Sequence, residues 1–217
     1  DAGTDLPAVI NFLFPNKGSG NIILSSQKLT RDQLNHFYNI ADGVILLSSA
    51  EGWGLSLTEA LLTGTPIIAN VTGGMQDQMR FEDKNGNWID FDENVPSNHR
   101  GTYKKCGKWA LPVFPTSLSL VGSPKTPYIW DDRCTPEDAA KQIRALYDMS
   151  KKERKEIGKA GYDWVTSKEA GFTAQVQGER VIEGMDELFK KFKPRKSFTF
   201  TKDTDIERKV LNHKLIY

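Results

Sequence analysis

Three observations assign this sequence to the α/β class, with a parallel sheet flanked by helices. Short apolar runs of strand length, Ile22–Leu24, Val44–Leu47 and Ile67–Val71, alternate with amphipathic segments of helix length, Thr30–Ala41 and Ser56–Thr63. The links between them are short, and strands that alternate with helices on short links lie parallel in one sheet. Two of the strands run into glycine turns, Gly52-Trp-Gly54 and Gly73-Gly74, at the end of an open sheet where ligands collect.

Taken in order, Leu6–Phe14 is apolar and fits a helix or a strand, and it reaches Pro15-Asn-Lys-Gly-Ser-Gly20 without a preceding partner. Ile22–Leu24 reads as a short buried strand. Thr30 with Gln33 spells a capping box, and Leu34, Phe37, Tyr38 and Ala41 follow at helical spacing. Asp42-Gly43 turns the chain into strand Val44–Leu47. A helix over about Ser56–Thr63 ends on Gly64, the residue expected just past a helix C-terminus. Strand Ile67–Val71, the turn Thr72-Gly73-Gly74 and a short helix Met75–Met79 complete the Rossmann-like pattern. Lys84–Cys134 mixes prolines, glycines and aromatics with little periodicity, and reads as a long irregular insertion anchored by Trp88, Trp109, Phe114, Tyr128 and Trp130. Thr135-Pro136 opens a helix with an inward stripe of Ala139, Ile143, Leu146 and Tyr147. Ser150 and Glu153 cap another through about Val165. A third, roughly Phe172–Phe192, carries Val176, Val181, Met185, Leu188 and Phe189, and Gly178 and Gly184 weaken it. The expected organisation is one domain over 1–193, an insertion over about 84–134, and an extended basic tail over 194–217.

Bulk properties set limits on function. The chain has 217 residues, enough for one full core. Lys+Arg 29 against Asp+Glu 28 gives a net charge of +1, which offers no electrostatic footprint for nucleic acid. No apolar run is long enough to cross a bilayer, and Asp1–Asp5 is no signal peptide. The two cysteines, Cys106 and Cys134, have no C-x-x-C partner, so a zinc site is not expected, and a disulfide between them stays open. A reducing, cytoplasmic setting is the economical reading. Asp131-Asp132 reads as a turn before the Thr135 cap rather than a metal motif, and His36 as a surface residue.

The segment richest in chemical implication is Glu51-Gly-Trp-Gly-Leu-Ser-Leu-Thr-Glu59 with Ala60-Leu-Leu-Thr-Gly64-Thr-Pro66. A strand, a glycine turn and a new helix N-terminus direct main-chain N–H groups and the positive end of a helix dipole at one spot, which suits a diphosphate. A carboxylate lies on each side of that turn, able to accept hydrogen bonds from sugar hydroxyls. The combination resembles the donor-site signature of retaining glycosyltransferases with the GT-B fold, in the group called group 1 or family 4. The likeness runs from about Asn21 to Gly86 and resumes weakly over Pro136–Trp164; Lys84–Cys134 and the tail have no counterpart in it. Asn70–Gln78 and Leu211–Tyr217 are similar to viral or environmental glycosyltransferase-like proteins.

The resemblance implies a nucleotide-sugar donor and no cofactor or metal. Main-chain N–H groups of Trp53, Gly54, Leu55 and Ser56 would face the phosphates, with glycine at 52 and 54 allowing close approach. Glu59 would bind the ribose hydroxyls from the first helical turn. Glu51 would contact the donor sugar or stabilise positive charge at the anomeric carbon, and is the catalytic candidate; the base would be the donor phosphate itself. Gly73 and Gly74 would line the donor, and Gln27, in the loop Ser25–Lys28, the base pocket. Plainer readings stand beside these. Ser56 with Glu59 is itself a capping box, Trp53 packs under the loop as readily as it touches a ligand, and Gly73-Gly74 equally forms an ordinary strand-to-helix turn.

Family members pair two α/β domains, and carry an arginine and a lysine that grip the diphosphate at the start of the second. Neither Lys17 nor Arg31 stands in that place, so the expectation is a C-terminal donor-binding domain whose N-terminal acceptor domain is absent from this chain. The acceptor, a glycan, lipid or protein, would be met through that domain in cis or in trans, and the isolated chain would transfer no sugar. The alternative is a non-catalytic binding or structural module derived from such a domain. A dinucleotide oxidoreductase fits poorly, with Leu57 in place of the third glycine and Thr72 where an acidic ribose ligand belongs; a P-loop is excluded by the missing Gly-Lys-Ser/Thr.

Overall fold

The computed structural model describes residues 4–15, 21–89 and 98–195, in two compact units, Asp1–Thr166 and Ser167–Tyr217. The first unit is built on a parallel sheet of β1 (Val44–Leu46), β2 (Ile67–Asn70) and β3 (Ala110–Val113), in that order. Val44 lies beside Ile67, and Ile67 beside Ala110. β2 is buried along its whole length because it has a neighbour on each side and helices over it. The sheet is covered by α3 (Leu55–Leu62), α4 (Met75–Gln78), α5 (Pro136–Asp148) and α6 (Lys151–Val165). Leu57, Ala60 and Leu61 of α3 have no exposed surface. Each leucine so buried contributes about 1.5–3 kcal/mol. On the opposing flank Ile68, Leu111, Val113 and Leu146 form a cluster, with Cys134 and Ile157 packed against it.

The local signals act as expected at the helix ends. Thr30 and Gln33 form both hydrogen bonds of a capping box on α2 (Arg31–Ile40), and Ser150 and Glu153 do so on α6. Thr135 caps α5 with Pro136 at its first position. Gly64 takes the left-handed conformation after α3. The ambiguous N-terminal run is a helix, α1 (Leu6–Leu13), capped by Asp5, with none of its residues buried.

Several expectations are corrected. Ile22–Leu24 is not a strand: it is irregular and exposed, Ile23 at 86%. A three-residue run forms too few ladder bonds to offset its ordering unless a neighbour pairs with it, and β1 pairs only with β2 among the described residues. The third strand of the sheet comes instead from β3, inside the stretch expected to be an irregular insertion. That stretch also holds an antiparallel hairpin, β4 (Ser117–Ser123) and β5 (Thr126–Arg133). Asp131-Asp132 therefore lies in a strand, not in a turn. Of the five aromatic anchors, Trp109 stacks on Trp164 at 4.9 Å, Trp88 meets Trp164 edge-on at 5.7 Å, and Phe114 packs with Phe81 and His99. Tyr128 and Trp130 are exposed. Only Ala139 and Leu146 of the α5 stripe are buried; Ile143 and Tyr147 face water.

Both cysteines are free thiols. Burial, with the Glu82 carboxylate nearby, pushes the Cys106 thiol up to about 11, so it stays protonated and unreactive at neutral pH. The second unit carries α7 (Ala174–Lys191), capped by Thr173, with Val181, Met185, Leu188 and Phe189 exposed. Arg180 of α7 donates to the Lys168 carbonyl at 3.1 Å. Lys17, His213, Leu211–Tyr217 and most of the predicted tail lie outside the described residues.

Candidate functional site

The 51–54 turn leaves β1 and enters α3 through Gly54, whose φ of 82° is the left-handed conformation that glycine adopts without strain. α3 begins at Leu55, one residue earlier than the sequence suggests. The first intrahelical bond runs from the Leu57 N–H to the Gly54 carbonyl at 2.9 Å. The amides of Leu55 and Ser56 lie ahead of it, at the positive end of the helix.

Three sets of contacts fix the turn. From below, the fully buried Gln78 donates through its side-chain amide to the carbonyls of Trp53 at 2.6 Å and Gly54 at 3.2 Å. Its Oε1 accepts from Thr58 Oγ1 at 2.7 Å, and its main-chain carbonyl accepts from the Trp109 indole at 3.0 Å. The Trp53 indole N–H donates to the same Thr58 hydroxyl at 2.9 Å, so Trp53 packs under the loop. From the side, the Gly74 N–H donates to the Glu51 carbonyl at 3.3 Å. A Cβ at Gly73 would lie 2.0 Å from the Glu51 carbonyl oxygen, and one at Gly74 would lie 2.3 Å from that of Gly52. The two glycine turns are thus in backbone contact, and glycine at 73 and 74 is required by that contact itself. Gly52 differs: a Cβ there meets nothing within 4 Å.

Glu59 is the fifth residue of α3, not a residue of its first turn, and it is exposed. The capping box with Ser56 does not form, because Gly54 holds the cap position and no side chain caps the helix. The Glu59 carboxylate instead accepts from the Tyr38 hydroxyl of α2 at 2.7 Å. Burial, together with this carboxylate, holds the Tyr38 phenol well above its ordinary range, so it remains a donor throughout the physiological range. Glu51 is half-buried on the loop. Gln27 is exposed and makes no hydrogen bond to the 51–59 segment.

Sequence reasoning missed three residues. Tyr38 falls on the apolar stripe of its helix by spacing, yet its hydroxyl is what reaches Glu59. Gln78 ends a four-residue helix that is polar at three positions, so the sequence carries no signal that its amide is buried under the turn. Asp132 is 5% exposed. It accepts from Thr72 Oγ1 at 2.6 Å, beside Gly73, and its N–H donates to the Ser49 carbonyl at 2.9 Å. Its own carbonyl accepts from the Asn70 side chain at 3.1 Å. The end of β5 is thereby fastened to the C-terminal ends of β1 and β2. Among the described residues, no cluster of three or more His, Cys, Asp or Glu side chains is arranged to hold a metal ion. No described helix is long and apolar enough to cross a membrane.

Residues 16–97, which include α2, β1, the 51–54 turn, α3, β2 and α4, match the family described as Glycosyl transferases group 1. Over 80 residues the chain is 30% identical to an uncharacterized glycosyltransferase of Methanocaldococcus jannaschii, a stretch that is 37% of this chain and 20% of that protein. The chain spans about a fifth of the length of the curated relative it matches.

Proposed function

We propose that this chain is the donor-binding part of a GT-B, family 4 glycosyltransferase that moves a sugar from a nucleotide diphosphate to an acceptor with retention, without a metal or other cofactor. An N-terminal acceptor domain, in cis or in trans, completes the enzyme. The observation that carries the reading is the preorganised 51–54 turn. Gln78 and the Gly73-Gly74 turn hold its main chain, while no side chain caps the start of α3 and Gly52 faces open space. Glycine at 73 and 74 is explained by packing. Glycine at 52 is not, and room for an incoming phosphate accounts for it.

In this reading the amides of Gly54, Leu55 and Ser56 meet the charge that grows on the leaving diphosphate as the anomeric C–O bond breaks. Glu51 offsets positive charge on the sugar. The acceptor oxygen bonds to the anomeric carbon, and its proton passes to the leaving phosphate. Glu59, oriented by Tyr38, accepts from the ribose hydroxyls with its remaining oxygen. Gln27 borders the base.

Titration of the 217-residue chain with UDP and GDP tests this. One of the two is expected to bind, and Glu59→Gln is expected to weaken it about ten- to a hundredfold, the effect of losing a hydrogen bond to a charged group. The reading fails if neither nucleotide binds or if Glu59→Gln leaves affinity unchanged. Binding without transfer after the acceptor domain is restored would favour a non-catalytic module.

A further inference from the structure

We infer that the β4–β5 hairpin is a carbohydrate-binding platform that presents an oligosaccharide acceptor to the 51–54 turn, with Trp130 as its principal stacking surface. The inference rests on the proposed glycosyl transfer for the word acceptor, and on the hairpin alone for the platform. Its root is fixed at the candidate site: Asp132 is bonded to Thr72, Ser49 and Asn70. Successive side chains of a strand alternate between faces, and the register between β4 and β5 is regular from Ser117–Arg133 to Val121–Ile129. Trp130 therefore projects from the same face as Asp132, about 7 Å further along. Since Asp132 points at Thr72, beside the Gly73-Gly74 turn, Trp130 stands on the face of the hairpin that is turned toward Thr72.

Tyr128 continues the line. Its ring lies over Gly122, where a Cβ would come within 3.0 Å of the ring carbon Cδ1. Across the hairpin, Leu118 faces Asp132 and Leu120 faces Trp130. Trp130 is 64% exposed and Tyr128 61%, although nothing in the fold of the hairpin requires two large rings in water.

Three features favour a sugar chain as the occupant. The exposed face carries four large side chains, Leu118 and Leu120 on β4 and Tyr128 and Trp130 on β5, on the order of a few hundred Å² of surface. A stable protein–protein contact needs about 800 Å² per partner. The charged residues of the hairpin, Lys125, Asp131, Asp132 and Arg133, balance, so it lacks the basic excess that draws a helix or loop to anionic lipid. Flat amphipathic rings beside an unpaired strand edge, the outer edge of β4 among the described residues, offer both an apolar floor for a sugar ring and main-chain partners for its hydroxyls.

The test is a nuclear magnetic resonance titration of the whole chain with indole-labelled tryptophan. Probes are four linear hexasaccharides (malto-, cello-, chito- and mannohexaose), phosphatidylglycerol vesicles, and UDP. The Trp130 indole signal is assigned by its loss in Trp130→Phe. At least one hexasaccharide is expected to move that signal. Titrated by calorimetry with the same sugar, Trp130→Ala is expected to bind about tenfold more weakly than the native protein, and Trp130→Phe to recover most of the affinity. UDP binding is expected to be the same in all three proteins. The platform is overturned if no hexasaccharide moves the Trp130 signal, if vesicles move it instead, or if sedimentation shows a dimer that Trp130→Ala dissolves. UDP binding with a silent Trp130 would sink the platform and leave the donor site standing; a hexasaccharide response without UDP binding would do the reverse.

Discussion

At the level of single residues, the site depends on how closely two backbones approach. Gly73 has a φ of 49°, and its missing side chain is the space occupied by the Glu51 carbonyl. No rotamer can relieve a Cβ clash with main chain. Gly73→Ala is therefore expected to cost about 1–3 kcal/mol from overpacking, with a further contribution from the left-handed conformation. Urea unfolding should show the loss. Gly52→Ala, which meets nothing, should leave the same midpoint within about 0.5 kcal/mol. These two glycines look alike in the sequence. Spacing places both on turns, but it carries no information on which backbone faces another backbone and which faces open space. Glu59 makes the same point for polar groups. The pattern Ser56-x-x-Glu59 is a capping box on paper, and it fails because a left-handed glycine two residues earlier has already started the helix. The partner that matters, Tyr38, is 21 residues away.

Among the elements, those with strong local signals were legible and those defined by distant pairing were not. α2, α5 and α6 announce themselves through caps and periodicity. For α6 the box between Ser150 and Glu153 closes with bonds of 3.2 and 2.7 Å. Ser150→Ala is expected to lower stability by about 1 kcal/mol and the melting temperature by about 2–4 °C, measured by calorimetry, because α6 carries the buried Trp164 and Val165. β3 was hidden by its composition. Four residues containing Pro112 read as a break, since proline cannot donate to a ladder. The strand tolerates it at the sheet edge, where the Pro112 carbonyl takes a bond from Gln142 of α5 at 2.8 Å. The hairpin did have a signal: Ser117-Leu-Ser-Leu120 alternates with period two. The surrounding prolines and glycines obscured it. Ile22–Leu24 failed in the other direction, because strand composition without a neighbour does not make a strand.

For the molecule as a whole, one pH-dependent contribution to stability comes from a residue with no place in the proposed chemistry. His99 is 5% exposed among the rings of Phe81, Tyr103 and Phe114, and neither ring nitrogen has a hydrogen-bond partner among the described residues. Burial holds it below its ordinary value of 6.5. The unfolded chain thus takes up this proton first. The His99 contribution is complete above pH 6.5 and is lost as the pH falls from there through the folded value. Glu82 is held low first by Lys105 and also by Arg80, so it adds its own loss only below the ordinary carboxylate value of 4.5. Urea midpoints between pH 8 and 5 should fall in the native protein and stay flat in His99→Phe. An unchanged slope in that variant would assign the loss elsewhere.

The Trp109–Trp164 stack has an optical consequence. Two indoles 4.9 Å apart and inclined by only 22° are close enough for their electronic transitions to mix. One of them precedes β3 and the other belongs to α6, so their joint dichroism reports whether that strand and that helix are docked. The molecule thus contains an unlabelled gauge of its sheet–helix seam, separate from the glycine turns and from the exposed hairpin.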